Sequence, residues 1–436
     1  MIDNGFSRWL PAAPDASASA ELSWLDAQRR AAREQFAGLE LPTTTAEAWR
    51  YTSLKSLLEQ DFKAVEETIT ALQHDDLDEI LIPGLHSHRV VFVNGRYAPE
   101  LSALGDLPKG VRIGSLCALL ESDPDMVRSR LNQYASNSLF VALNTAGFDD
   151  GLVALFDRAV VLERPIELIH LSIGMDQPQV AQPRHLIVLG DGAQATLIER
   201  YMSLGDAVYC TNAVVEIALG RDAVLRHERL QMESKNAFHL TGLSLQQDAN
   251  SHYLGVNLGL GARWSRTELV THFAGEHAEC DLQGLYLAGD GQLMDYHLDV
   301  THAVPQCRSR ENFKGILYGK GRAVFDGRVL VAKAAQQSDA AMSNNNLMLS
   351  EGAEVDTKPQ LEINADDVKC SHGTTVGQIE PEKLFYLRSR GISAPLARRM
   401  LCLGFAGEII HMLHEEVFRD YVAEQVGQRL ESAPLD

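Results

Sequence analysis

Long apolar runs are missing from this 436-residue sequence. No stretch approaches about 18 uninterrupted apolar residues, so no membrane-crossing helix is expected. The first 22 residues, MIDNGFSRWLPAAPDASASAEL, lack a basic segment followed by an apolar one. They do not read as a secretion signal, and a cytoplasmic protein is expected. Basic residues are in deficit: 39 Lys and Arg face 59 Asp and Glu, a formal charge of −20. Such a surface repels phosphate backbones and anionic lipid, which argues against nucleic-acid or membrane partners. Cysteine is sparse. The six, at 117, 210, 280, 307, 370 and 402, include no C-x-x-C, so reduced thiols are expected rather than a disulfide framework. Self-contained catalytic motifs are absent too: there is no H-E-x-x-H and no G-x-S-x-G. GILYGKG at 315–321 is one residue short of a nucleotide loop and lacks the Ser or Thr that would hold Mg²⁺; it reads as a tight turn. GLGAR at 259–263 lacks the third glycine of a dinucleotide fingerprint.

What is present falls into three parts. Residues 17–37 carry helical periodicity through Leu22, Leu25, Ala32 and Phe36, with Gly38 as a stop. Thr43 to Thr45 can cap a second helix, and ETITALQHDDLDEILI a third. Val90–Val93 followed by Asn94-Gly95 predicts a β-hairpin, and 108–137 a loop and one more helix. From about Phe140 to Gln378 helical periodicity disappears. A turn with Gly or Asp, a small residue and an alternating run recur, with Ala193, Ala223, Ala278, Ala323 and Ala353 in equivalent places. The intervals of 30, 55, 45 and 30 are near multiples of 15, which predicts stacked coils of a solenoid; a β-sandwich is the competing reading. Helical signals return with Glu380-Pro381, stop at Gly391, and resume after Ser393 through Leu396, Met400, Leu403, Ile410, Leu413, Val417 and Tyr421. The expected division is a helical region with a short hairpin over 1–140, a solenoid over 141–380, and a helical region over 381–436. Helices are expected to cover the solenoid's open ends.

One segment concentrates donor atoms. In ADDVKCSHGTTVG, 365–377, Cys370 and His372 are two apart and share a strand face. Thiolate and imidazole are ligands for soft or borderline metals. Two ligands make half of a tetrahedral site, which suits transient binding completed by a partner or cargo. The alternative is a core thiol beside an exposed polar histidine. His272, His277, His297 and His302 form pairs five apart, on opposite faces, and read as structural. Cys280 and Cys307 read as core, and SNNN at 343–346 as a turn or an amide ladder. Asp326, Asp339 and Asp356 are the candidate carboxylates of a β-helical carbohydrate-active enzyme, but lack paired spacing.

QLEINADDVKCSHGTTVGQI, FYLRSRGI, GKGRAVFDGRVLVA, MSNNNLML and EAWRYTSL together resemble the SufB/SufD family of iron–sulfur cluster assembly proteins, its SufD branch most. The missing N-terminal cysteine cluster favours that branch. The resemblance implies a mainly β protein, a right-handed parallel β-helix flanked by helical regions. It implies a non-catalytic scaffold in a complex with SufB and the SufC ATPase, with no permanent cofactor. By that resemblance residues 381–431 face SufC, and the last β-helix strands pair with SufB or, alone, with a second copy. Cys370 and His372 would lie at that seam as transient iron or cluster ligands. A purely structural homodimer is the remaining alternative.

Overall fold

A computed structural model describes residues 6–11, 20–65, 72, 78, 80–136, 138–174 and 177–433. The chain is mainly β: a parallel solenoid of about 8 turns with helical regions at both ends of the sequence. Two sheets face one another, and successive strands alternate between them. In one sheet Cys210 pairs with Phe238, Phe238 with Trp264, Trp264 with Leu293, Leu293 with Arg322 and Arg322 with Glu354, steps of 28, 26, 29, 29 and 32 residues. The 15-residue phrase of the sequence is therefore half a coil, one strand plus one corner. Corners place single residues at positive φ, including Gly192 at 70°, Asp222 at 59°, Asn250 at 58° and Gln306 at 63°. The small residues follow such corners because no room remains there: Ala193, Ala223 and Ala278 have no exposed surface.

Strand parity builds the core. Inward positions such as Leu197, Leu225, Leu269, Leu282, Leu298 and Val329 form one continuous apolar cluster between the sheets. Aromatic rings inside need gaps on the facing or neighbouring strand. A methyl on Gly284 would overlap the Phe313 ring, and one on Gly315 the Tyr286 ring.

The outer faces are apolar as well, and the helices cover them. Ile198, Leu230, Val256, Leu258, Leu285 and Ile316 pack against Cys402, Ala406, Ile409, Phe418, Val422 and Val426 of the helices Ala394–Ile410 and Glu416–Ser432. On the other sheet Phe238, Leu240 and Trp264 pack against Trp9, Trp49, Phe62 and Phe140. At its start the solenoid is closed by the hairpin His88–Val93 and Arg96–Tyr97, turned by Asn94 (φ 47°) and Gly95 (φ 83°). At its far end the strands Glu354–Ile363 and Lys369–Gly377 each have, among the described residues, a pairing partner on one side only.

Several helical expectations need correction. Helices lie along the sheet faces and leave the far end open, because the apolar surface is on the faces while the last two strands are polar. The helix expected after Thr45 is a 3-10 turn, Glu47–Trp49, and a short helix, Lys55–Leu58. Tertiary contacts override the local preference there: Trp49 stacks 3.8 Å from the Arg266 guanidinium, and Thr52 Oγ1 donates to Asp295 Oδ2 at 2.6 Å. The run from Leu396 to Tyr421 is broken at 411–415 into two helices. The first arm helix is Ser23–Gly38. The expected helix at ETITALQHDDLDEILI falls mostly outside the described residues.

Gly284→Ala is expected to lower unfolding stability in urea by about 1–3 kcal/mol through overpacking, and Phe313→Leu in the same chain should recover part of that loss.

Candidate functional site

The open end is set by Lys369–Gly377, whose only strand partner among the described residues is Asp339–Met348. Cys370 stands opposite Ala340 and His372 opposite Met342, and both partners are buried in the interior. Cys370 and His372 thus share a face, as their spacing predicts. That face is the inner one, turned toward the opposite sheet as Ala340 and Met342 are one coil earlier. Cys370 is half-buried against the core cluster, and His372 is exposed because no further coil covers it. Burial raises the Cys370 thiol above its usual range, with Asp339 and Glu311 adding to the shift. A protonated thiol is a poor ligand, so the site needs an incoming cation to draw off its proton.

One strand deeper, the register stacks Glu311 behind Met342 in the same inner column as His372. Glu311 is 1% exposed, and neither carboxylate oxygen has a hydrogen-bond partner among the described residues. Burial pushes its pKa up to about 8, against a weaker pull from Ser309 and Arg310. Sequence reading passed over Glu311. The signal was its parity: in RSRENFKGIL it occupies the inward series with Ser309 and Phe313.

Among the described residues, His170, His185 and Glu199 bring ligand atoms within 4.8 Å of one another deep inside the solenoid. The hydrogen bonding there does not suit a metal. The Leu152 N–H donates to His185 Nδ1 at 2.8 Å, so the ring proton of neutral His185 sits on Nε2 and occupies the atom left to bind. Glu199 is already engaged by Tyr201 Oη at 2.6 Å and His227 Nε2 at 2.9 Å. Burial pushes Glu199 up, but the His227 hydrogen bond and the charges of His227 and Arg229 outweigh it and hold the carboxylate low. Burial pushes His185 down to about 4. Glu199 is thus held by its protein neighbours, while His170 Nε2 and His185 Nε2 are buried without a hydrogen-bond partner among the described residues.

The remaining candidates separate cleanly. His272 and His277 are exposed; His297 lies on an outer face 2.9 Å from Asp295, while His302 is buried beside Ser309 at 3.0 Å. Cys280 and Cys307 are buried. The SNNN run is a strand: Asn344 and Asn346 bond inside to Tyr286 Oη, while Asn345 accepts from Thr375 at 2.7 Å outside. In GILYGKG the Gly319 N–H donates to Ser350 and the Lys320 N–H to Asp290, so neither N–H is free to cradle a phosphate. Asp339 pairs with Arg310 at 2.8 Å, Asp326 is bonded by Gln360 at 3.1 Å, and Asp356 lies 3.9 Å from Arg322. No two of these three carboxylates are brought together across a cleft. The helix Pro381–Ser389 buries none of its residues, and Phe385 is 73% exposed beside Tyr386. A cleft of about 680 Å³ lined by Lys320, Ser350, Gln378, Leu384 and Arg398 lies between that helix and the solenoid.

The profile of the family described as "SUF system FeS cluster assembly, SufBD core domain" matches residues 172–405, and that of the "SufBD protein N-terminal region" matches 12–168. The chain belongs to the SufBD family. It is 36% identical over 394 residues to the iron–sulfur cluster assembly protein SufD of Escherichia coli, covering 89% of each chain. It is 34% identical over 395 residues to an iron–sulfur cluster assembly SufBD family protein of Synechocystis, covering 88% of this chain and 87% of that one. The chloroplast protein ABCI7 of Arabidopsis thaliana is 30% identical over 347 residues, 77% of this chain and 72% of its own. The SufBD core match spans the open end and the helix Ala394–Ile410 as far as Phe405. Among the described residues, no helix is long and apolar enough to cross a membrane.

The raised Glu311 has a defined effect on stability. Its contribution is fully present below the ordinary glutamate value near 4.5 and is lost as pH rises through about 8. Urea unfolding is therefore expected to show stability falling between pH 5 and pH 8.5, with Glu311→Gln removing on the order of a few kcal/mol of that fall.

Proposed function

We propose that this chain is a non-catalytic scaffold subunit of an iron–sulfur cluster assembly complex. One observation carries the reading: the solenoid ends in two long strands with unpaired edges, and the inner face they leave open holds Cys370 and His372. Exposed strand edges of this length are templates for another chain. The occupant we assign is a SufB-type relative, with a second copy of this chain taking the same edges when it is alone. Covering the edge would seal the inner face. Cys370 and His372 would then be half of a coordination shell, with the other ligands supplied across the seam. A site completed only by assembly holds iron or a nascent cluster transiently, and neither is a resident cofactor of this chain.

The other contact is the C-terminal region. Residues 381–431 are assigned to the SufC-type ATPase. The exposed Phe385, Tyr386, Leu396 and Met400 support this, because large apolar side chains left exposed on two successive helices favour a protein partner. Nucleotide chemistry is left to that subunit: the turn at Gly319–Gly321 has no phosphate cradle here. ATP-driven motion of the ATPase would reach the open end through the stacked ladders, which resist deformation along their length. The interior near the open end would follow that movement.

Two outcomes are expected. His372→Ala should leave the complex intact on size exclusion and lower anaerobic cluster formation, followed by visible absorption, by about tenfold or more; full cluster formation in an intact complex defeats the ligand role. Phe385→Asp should abolish capture of the ATPase subunit in a pull-down under reducing conditions while leaving the SufB-type subunit bound.

A further inference from the structure

Polar contacts cross the seam between the C-terminal helix pair and the sheet that it covers. Lys314 Nζ lies over the Phe405 ring at 4.4 Å and pairs with Glu408. The Arg200 guanidinium stacks on Tyr421 at 5.2 Å and is anchored to Glu167 at 2.7 Å. Glu228 differs from these. It sits under the connection 411–415 that joins the two helices, where one carboxylate oxygen accepts the backbone N–H of His414. Its other oxygen has no hydrogen-bond partner among the described residues, and the residue is 1% exposed. A buried unpaired oxygen is tolerable on a neutral acid and costly on an anion.

The charged and titratable groups facing Glu228 come from every side. Arg226 lies on its own strand. Arg200, on the adjoining strand, is committed to Glu167. Glu415, His414 and Arg419 come from the helix connection and the first turn of the last helix. Burial dominates and pushes Glu228 up to about 7, against the His414 N–H bond, which favours the ionised form; Glu415 adds to the upward shift, and Arg226 and Arg419 oppose it more weakly. When the connection lifts and water enters, the acid returns towards its ordinary value near 4.5.

We propose that Glu228 is a proton-operated latch on the C-terminal helix pair. Neutral, it accepts the His414 N–H inside a closed seam; ionised, its unpaired oxygen favours opening of the seam to water. Apolar contacts still hold the helices, so the latch sets how readily the connection opens rather than whether the chain folds. The inference requires no particular partner and stands apart from the assignment of the open end.

Amide hydrogen exchange on the full chain tests it, read as protection factors for residues 405–422 against the interior strand His252–Gly259 as reference. With values near 7 closed and 4.5 open, protection at the seam should fall about tenfold from pH 6 to pH 8.5 relative to the reference. Glu228→Gln keeps an acceptor for the His414 N–H and cannot ionise, so its ratio should stay flat at the acidic level. Glu415→Gln removes the opposing charge and should shrink the fall. A wild-type ratio that does not move, or one that falls equally in Glu228→Gln, overturns the latch.

Discussion

A parallel hydrogen-bonded ladder has no natural end. Each strand satisfies its backbone by pairing with the strands one coil before and one coil after, so every coil passes the same requirement to the next. At the start of this solenoid the hairpin at 88–97 and the antiparallel strand Val111–Ser115 absorb that requirement. At the other end nothing in the described chain does. Strands Glu354–Ile363 and Lys369–Gly377 are nine or ten residues long, polar and open along one edge. Much of what distinguishes this molecule follows from that asymmetry, including why a half-buried thiol and an exposed imidazole can share the inner face of the last coil.

The interior is divided between two kinds of chemistry. Apolar columns supply the stability of the coil stack, and glycines on inner columns make room for Phe313 and Tyr286. A second set of columns is polar, with Glu199, His227 and Arg229 deep inside and Glu311 nearer the open end. In the deep group the Glu199 carboxylate is held by hydrogen bonds from Tyr201 and His227. Glu311 has no such bond among the described residues and is kept neutral by burial. The same device recurs outside the coil at Glu228, beneath the helix connection. Both carboxyl groups are held where ionisation is opposed, one near each region assigned to a partner.

Much of the fold was legible in the sequence because a solenoid repeats its own instructions. The small residue after a left-handed corner recurs at Ala193, Ala223 and Ala278, and strand parity placed Cys370 with His372 correctly on one face. Parity alone could not say which face, since that depends on the register to Ala340 and Met342 one coil earlier. The arm between Thr43 and Leu58 was misread because its conformation is imposed from 200 residues away, by Arg266 and Asp295. The single long C-terminal helix was misread for a related reason: the break at 411–415 is tied down by Glu228, far back in the chain. Glu311 carried only the faint signal of a charge in an inward series.

The open edges also constrain the geometry of any closed pair. Two like end coils related by a two-fold axis must meet with their strands running in opposite directions. The unbroken same-direction pairing of the coil stack would therefore change sense at that single boundary, from evenly slanted bonds to alternating narrow and wide ones. Inner columns from the two chains would approach around the axis, so that each imidazole at position 372 is brought toward a fixed counterpart rather than a sliding one. A boundary of that kind aligns register by symmetry, and it permits the two halves to rock about the axis without unthreading either stack.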